Sequence, residues 1–577
     1  MMDSSPSLLP TSRATGLLRW GVLLLLAVAA YVGWREFWFL TDDAFITFRY
    51  ISNSLRGYGH TWNPPPFQPV EGYSNFLWMV LLEGVWRVSG VEPPEAANAV
   101  SLAFSYGTLA LGFFWVWRMA LPAGLARYRF ALAVAVLAGV LSNRTFLAWM
   151  SSGLETALFI FCTTLWCVAM VEQDREHSPR AVTVACTAAA LSALTRPDGM
   201  LLVAACGVLL LMKLVQAPPR GRWVLAALPL LAVPLHIGWR RLYYGEWLPN
   251  TYYAKHVQSW PESGLRYALC FLIEYGLWVW LAVGIAAAVR LLRGMGWREV
   301  AERLWKQPGH VAVVGVLLAH FAYYTLIIGG DHFEYRVYAH LMLPLMVAFV
   351  AFLGWLRVER TGALALMGTF LLLSLPVQWV HYAKTRELTT RKQTYRLRQP
   401  IADAFPAPVR PVVELFDAQQ DWLISHFVGM RHQEHKVFFE TWSHEYPTRE
   451  EGQKLALPER PLLVTRSVGV PGWVLPDVII IDYHGLNDRV VARTPVKEQK
   501  LKERIMAHDR TPPPGYLECF EPNLQIKRRQ MRTGTRKTPL TDERIRECEA
   551  RFDPSKSPAP TDAPAPDAPG LTGAGEE

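Results

Sequence analysis

The stretch GLLRWGVLLLLAVAAYVGW (16–34), running without a break into REFWFLTDDAFITFRY (35–50), decides how this chain is built. Its first part is long enough to cross the hydrocarbon core of a bilayer as a helix and carries a single charge, Arg19. Arg13 before it gives it the look of a signal peptide, but no small-residue cleavage site follows and the next residues are charged. It therefore reads as an uncleaved first membrane helix. Asp42 and Asp43 come directly after it, where a carboxylate meets both water and lipid headgroups.

Further apolar stretches follow at roughly 97–117, 130–142, 155–171, 182–195, 199–216, 223–238, 266–290, 310–328, 338–357 and 361–380, giving about eleven crossings. Several are short, so their ends must draw on flanking residues or sit where the bilayer thins. The stretch Phe76 to Val88 holds Glu83 and Arg87 and reads as a juxtamembrane helix; counted as a crossing, it would invert every later loop. With it set aside, the loops carrying Arg118, Arg127 and Arg129, Arg175 and Arg180, Lys213 to Arg222, Arg290 to Lys306, and Arg357 and Arg360 share one side. The excess of Lys and Arg makes that side cytoplasmic. The N-terminus is then inside and the C-terminal part outside.

Composition agrees with a chain of two characters. It has 577 residues, 51% of them apolar, and a mean hydropathy of +0.14, yet Pro, Arg, Glu and Asp dominate after about Val380. The expected division is a membrane domain (1–380) with a first outer loop at 35–96, an extracytoplasmic soluble α/β domain (381–550), and a disordered Pro/Ala-rich tail (551–577). The fold class expected is a mainly α polytopic membrane protein with a small α/β C-terminal domain. The net charge of +9 sits largely in the short loops, where it reports topology, so no nucleic-acid partner is called for. Cys162, Cys167, Cys186, Cys206 and Cys270 lie in apolar segments and read as buried small residues. Cys519 and Cys548 would pair in an exported domain if the fold brings them together, which spacing does not fix.

The outer loops hold the densest mixture of acids, bases and aromatics beside the membrane. They are TDDAFITFRY (41–50), VEGYSN (70–75), SNRTFLAWMSSGLE (142–155), TRPDG (195–199), RRLYYGEWLPNTYYAK (240–255) and GGDHFEYR (329–336). Asp42 or Asp43 is placed to act as general base, accepting the proton of an attacking hydroxyl while a phosphate departs without acid assistance. Arg49, Arg144, Arg196, Arg240, Arg241 and Arg336 are candidates to stabilise that phosphate, or else to pair with Glu155, Asp198, Glu246 and Glu334. The aromatics Trp62, Tyr73, Tyr243, Tyr244, Trp247, Tyr252 and Tyr253 serve equally well as sugar-stacking platforms or as an interfacial belt.

TDDAFITFRY, GYGHTWNP and VEGYSNFLW, followed in order by SSGLETALF, LTRPDG, YYGEWLPNTYYAK, GGDHFEYR, IDYHGLNDRVVART and MAHDRTPPPGY, resemble the bacterial GT-C family of membrane glycosyltransferases that includes the mycobacterial terminal arabinofuranosyltransferases. The resemblance covers roughly residues 35–520. It implies a GT-C fold in the bacterial cytoplasmic membrane and transfer of a sugar, a pentose such as arabinofuranose, from a polyprenyl-phosphate carrier to a cell-envelope glycan. It places the base at Asp42 or Asp43, and a divalent cation, if one is used, at the same acids. The candidate donor-binding positions are Arg49, Glu71, Tyr73, Asn75, Arg144, Glu155, Arg196, Asp198, Asn250, Tyr253, Lys255, Asp331 and Arg336. The rivals are a GT-C mannosyltransferase with a protein or lipid acceptor and a lipid-linked sugar transporter, whose charges should lie nearer the bilayer midplane.

In the C-terminal part, PLLVT (461–465) and DVIIID (477–482) read as short strands. Asn487 and Asp488 in HGLND are candidate acceptor-binding residues, with an Asx-capped turn as the alternative. His432, His435 and His444 lack a zinc spacing.

Overall fold

The computed structural model describes residues 13–216, 220–496 and 503–553. The tail expected to be disordered lies almost wholly outside the described residues.

Among the described residues, eight helices are long and apolar enough to cross a membrane: Thr15–Glu36, Pro93–Arg118, Thr156–Glu176, Pro197–Val215, Gly221–Tyr244, Pro308–Ile328, Arg336–Trp355 and Arg360–Thr385. A ninth span, expected as one helix over 266–290, is instead the pair Pro261–Glu274 and Leu277–Leu292, bent by 87°. Gly276 makes the bend: its φ of +59° is left-handed, and a Cβ there would meet the Leu373 carbonyl at 3.1 Å. The other two expected crossings are Arg129–Leu141 and Pro179–Thr195, only 13 and 17 residues long. The second is rich in small residues, and Ala185, Cys186, Ala188 and Ala189 are fully buried, as close helix packing requires. In contrast, Leu17, Leu18, Trp20, Leu24 and Leu25 of the first helix are exposed.

Phe76–Ser89, expected to be a juxtamembrane element, is a helix of 14 residues. Its charges are satisfied locally: Glu83 accepts from Arg87 at 2.6 Å, His60 at 2.8 Å and Ser54 at 2.8 Å. Burial alone would raise the Glu83 pKa, but these partners hold it at about 2.

The C-terminal part carries a four-stranded sheet, β1 (Leu462–Thr465), β2 (Ile479–Asp482), β3 (Leu524–Lys527) and β4 (Gln530–Thr533), in the order β2-β1-β3-β4. β1 runs parallel to β2 and β3, while β3 and β4 form an antiparallel hairpin. β1 and β2 are buried apolar runs, as PLLVT and DVIIID foretold. Cys519 and Cys548 are joined by a disulfide.

Two polar clusters fasten this part to the helices. Arg49 donates to the carbonyls of Trp62 (2.8 Å), Gly472 (2.9 Å) and Val478 (2.8 Å), and its guanidinium lies 4.7 Å from the Trp62 ring. Deeper in, Arg431 reaches both Glu274 and Glu334 at 3.0 Å, and Arg144 pairs with the same Glu334. All four side chains are buried, so each charge depends on the others.

Candidate active site

A cavity of about 300 Å³ opens where the first loop, the Arg196–Asp198 corner, residues 248–258, the Tyr323–Arg336 segment and Arg504–Ala507 meet. Its wall has four carboxylates, Asp43, Glu155, Asp198 and Asp331, and four cations, Arg196, Lys255, Arg336 and Arg504. Arg196 is held between Asp198 at 2.9 Å and Glu155 at 3.0 Å, and Arg336 grips Asp331 at 2.9 and 3.2 Å. Asn75 links Glu155 (3.2 Å) to Thr47 (3.1 Å), and Tyr73 meets Tyr244 hydroxyl to hydroxyl at 3.1 Å. Of the residues singled out in the sequence, Asp43, Tyr73, Asn75, Glu155, Arg196, Asp198, Lys255, Asp331 and Arg336 all line this one cavity.

The two adjacent aspartates part company. Successive residues of the helix Asp42–Leu55 are about 100° apart, so the pair cannot face the same way. Asp43 faces the cavity and makes no hydrogen bond or ion pair among the described residues. Asp42 is buried, and its carboxylate accepts the backbone N–H groups of Gly469 (3.1 Å) and Val470 (2.7 Å). Burial raises its pKa to about 7, the two N–H donors opposing and Asp43 and Asp482 adding to the rise.

Several candidates lie elsewhere. Arg49 and Arg144 are spent on the structural clusters described above and do not line the cavity. Glu71 is buried against Arg240 (2.5 and 3.2 Å), and burial lifts its pKa to about 7 against the arginine's pull. Asn250 donates to the carbonyls of Gly485 (2.8 Å) and Leu486 (3.0 Å) and accepts from Arg493 (3.0 Å), whose guanidinium covers Tyr253 at 3.9 Å. Asn487 donates to Asp482 at 3.0 Å. Asp488 caps the helix Arg489–Arg493 through the N–H groups of Val490 and Val491, both at 2.9 Å. The capped-turn alternative is therefore the one observed for HGLND.

Three cavity residues carry no signal in the sequence reading. His332 donates Nδ1–H to the Phe427 carbonyl at 2.9 Å, and burial, with His508 adding, drops its pKa to about 4. It is thus neutral, with Nε2 as acceptor. His256 and Arg504 also line the wall. Arg504 lies two residues before MAHDRTPPPGY and more than 400 residues from Asp43, a separation no local pattern bridges. As to a cation, Asp42 is committed to backbone donors, and among the described residues no three His, Cys, Asp or Glu are grouped to hold a metal.

The fold is similar to the crystal structures of ArnT from Cupriavidus metallidurans bound to undecaprenyl phosphate and in the apo state, each at a TM-score of 0.50 and 14% identity. The matches cover 84% and 86% of this chain and 89% and 90% of those. No protein-family model and no curated protein matches the chain. The architecture is thus that of the GT-C fold, a multi-pass helical membrane protein with a small sheet near the C-terminus.

Proposed function

We propose that this protein is a glycosyltransferase that moves a sugar from a polyprenyl-phosphate carrier to an acceptor hydroxyl, with Asp43 as the general base. The observation that carries the reading is the Asp43 carboxylate, which faces the cavity with no hydrogen bond or ion pair among the described residues. The likeness of fold to an ArnT bound to undecaprenyl phosphate supports the carrier.

In the step proposed, the acceptor oxygen forms a bond to the anomeric carbon while the bond from that carbon to the phosphate oxygen breaks. The hydroxyl proton passes to Asp43, and the electron pair leaves with the polyprenyl phosphate. No acid is needed, because a phosphate departs as an anion. Arg196 and Arg336 are each neutralised by carboxylates, so their part is to hold Glu155, Asp198 and Asp331 in place as acceptors for sugar hydroxyls.

The motif order supports a pentose, arabinofuranose, as the sugar and a cell-envelope glycan as acceptor. The disulfide between Cys519 and Cys548 supports an extracytoplasmic C-terminal part, since such bonds persist in oxidising compartments. The experiment is transfer from a panel of synthetic polyprenyl-phosphate sugars to an oligosaccharide acceptor by the detergent-purified protein. Transfer from the arabinofuranosyl donor is expected. A stable protein that transfers from none of them would remove the reading.

A further inference from the structure

The helix Trp297–Lys306, WREVAERLWK, leads from the bent pair to the span Pro308–Ile328, and none of its side chains is buried in the fold. At about 100° per residue, Trp297, Val300, Ala301, Leu304 and Trp305 fall on one arc of about 140°, and Arg298, Glu299, Glu302, Arg303 and Lys306 take the rest of the circle. The apolar arc is open: Trp297 is 90%, Trp305 62% and Leu304 54% exposed. Its 10 residues are fewer than the about 12–15 that a helix needs to hold itself in water. The ion pairs of Glu299 with Arg303 at 3.3 Å and Glu302 with Lys306 at 3.8 Å are exposed and add little. The helix thus calls for an apolar surface that the described residues do not supply.

The path of the chain identifies that surface. Only residues 293–296 separate Trp297 from the apolar helix Leu277–Leu292, which keeps it within about 18 Å of that helix's end, and Gln307 alone separates Lys306 from Pro308–Ile328. The helical path breaks at both junctions. Gly294 has a left-handed φ of +81°, and Gln307, followed by Pro308, leaves helical geometry at φ −127° and ψ 54°. A short helix pinned between two apolar helices and turned out of both has the bilayer boundary beside it. The charge of the loop agrees: residues 290–306 hold five cations against two carboxylates, and Arg290, Arg293 and Arg298 make no ion pair among the described residues. Tryptophan, at two of the apolar positions, is a residue type that rests at the headgroup level.

We infer that Trp297–Lys306 is an in-plane anchor lying in the headgroup layer of the membrane that the chain spans, with Trp297, Leu304 and Trp305 set toward the acyl chains and Arg290, Arg293 and Arg298 on anionic lipid phosphates. The anchor shares no residue with the cavity and does not depend on the transfer reaction.

The test uses the full chain in nanodiscs of phosphatidylcholine and phosphatidylglycerol, labelled with bimane at Trp297→Cys, Leu304→Cys, Glu302→Cys or Lys306→Cys. Wild type treated identically gives the background from its own cysteines. All four positions are exposed, and each apolar substitution keeps two of the three large apolar side chains. A nitroxide on an upper acyl carbon of the lipid should quench Trp297→Cys and Leu304→Cys several-fold more than Glu302→Cys and Lys306→Cys, and aqueous iodide should do the reverse. In phosphatidylcholine alone, lipid quenching of Leu304→Cys should fall. Equal iodide quenching on both arcs would place the helix in water and overturn the anchor. An apolar arc shielded from both quenchers would place a second copy or another protein on it and overturn the anchor as well. Lipid quenching indifferent to phosphatidylglycerol would overturn the contact with anionic lipid.

Discussion

Asp42 accepts the backbone N–H of Val470 at 2.7 Å across more than 400 residues of sequence, while its neighbour Asp43 accepts nothing and faces the cavity. One aspartate fastens the C-terminal part to the first loop, and the other is left facing the cavity.

Asp43→Asn is therefore expected to lower turnover by about 10²–10⁴-fold, the range for a general base, with little change in apparent Tm. Asp42→Asn should lower apparent Tm and reduce activity only in proportion to the folded protein. Side-by-side turnover and thermal scans decide, and wild-type turnover in Asp43→Asn would refute the assignment of the base.

The pH response follows from the Asp42 pKa of about 7 in the folded protein against about 4 when unfolded. Between those values the folded state holds the extra proton, so wild type loses stability as pH rises from about 4 to about 7 and no more above that. Asp42→Asn lacks this loss. Its stability deficit should be largest near pH 4 and shrink toward pH 7; a deficit that grows with pH would contradict the sign.

Gly469→Ala should separate the same two elements by sterics alone. A Cβ at 469 would stand 1.8 Å from the Asp42 carbonyl oxygen, and backbone cannot yield there as a side-chain tip can. Loss of apparent Tm comparable to Asp42→Asn is expected, whereas Gly207→Ala, with open space at its Cβ, should be silent.

Glu334→Gln should cost about 3–5 kcal/mol, because Arg144 and Arg431 would then share only Glu274 in a buried site. The pKa of Glu334 argues the same way: burial acts to raise it, but the two arginines hold it at about 2. Expression level and thermal scans of Glu334→Gln against Glu334→Gln/Arg431→Gln test this, the double variant recovering part of the loss.

Cys548→Ser removes a crosslink spanning 29 residues and should cost about 3–4 kcal/mol in the C-terminal part by loop entropy. Alkylation before and after reduction, read by peptide mass, should find Cys519 and Cys548 protected only in the unreduced protein. Free alkylation of both in protein isolated under thiol block would contradict the pairing.

Part of the site was legible locally. Glu155, Arg196, Asp198, Asp331 and Arg336 sit at the ends of apolar segments, where charge beside lipid needs a reason, and all of them line the cavity. Arg49 and Arg144 carry the same signature yet are structural, because an arginine that grips carbonyls and one that waits for a ligand look alike in sequence. Asn487 and Asp488 likewise divide between a turn and a ligand site only once Asp482 and the Arg489–Arg493 helix are in place.

The run of apolar helices and the two buried strands could be read from the chain alone, since hydrophobic length and periodicity are local properties. Only the tertiary structure decided which of Asp42 and Asp43 faces the cavity, where the span at 261–292 breaks, and that Arg504 joins a wall built by residues hundreds of positions away. Those outcomes depend on which donors and carboxylates each group meets after folding, and buried charge is settled by its partners in space rather than its neighbours in sequence.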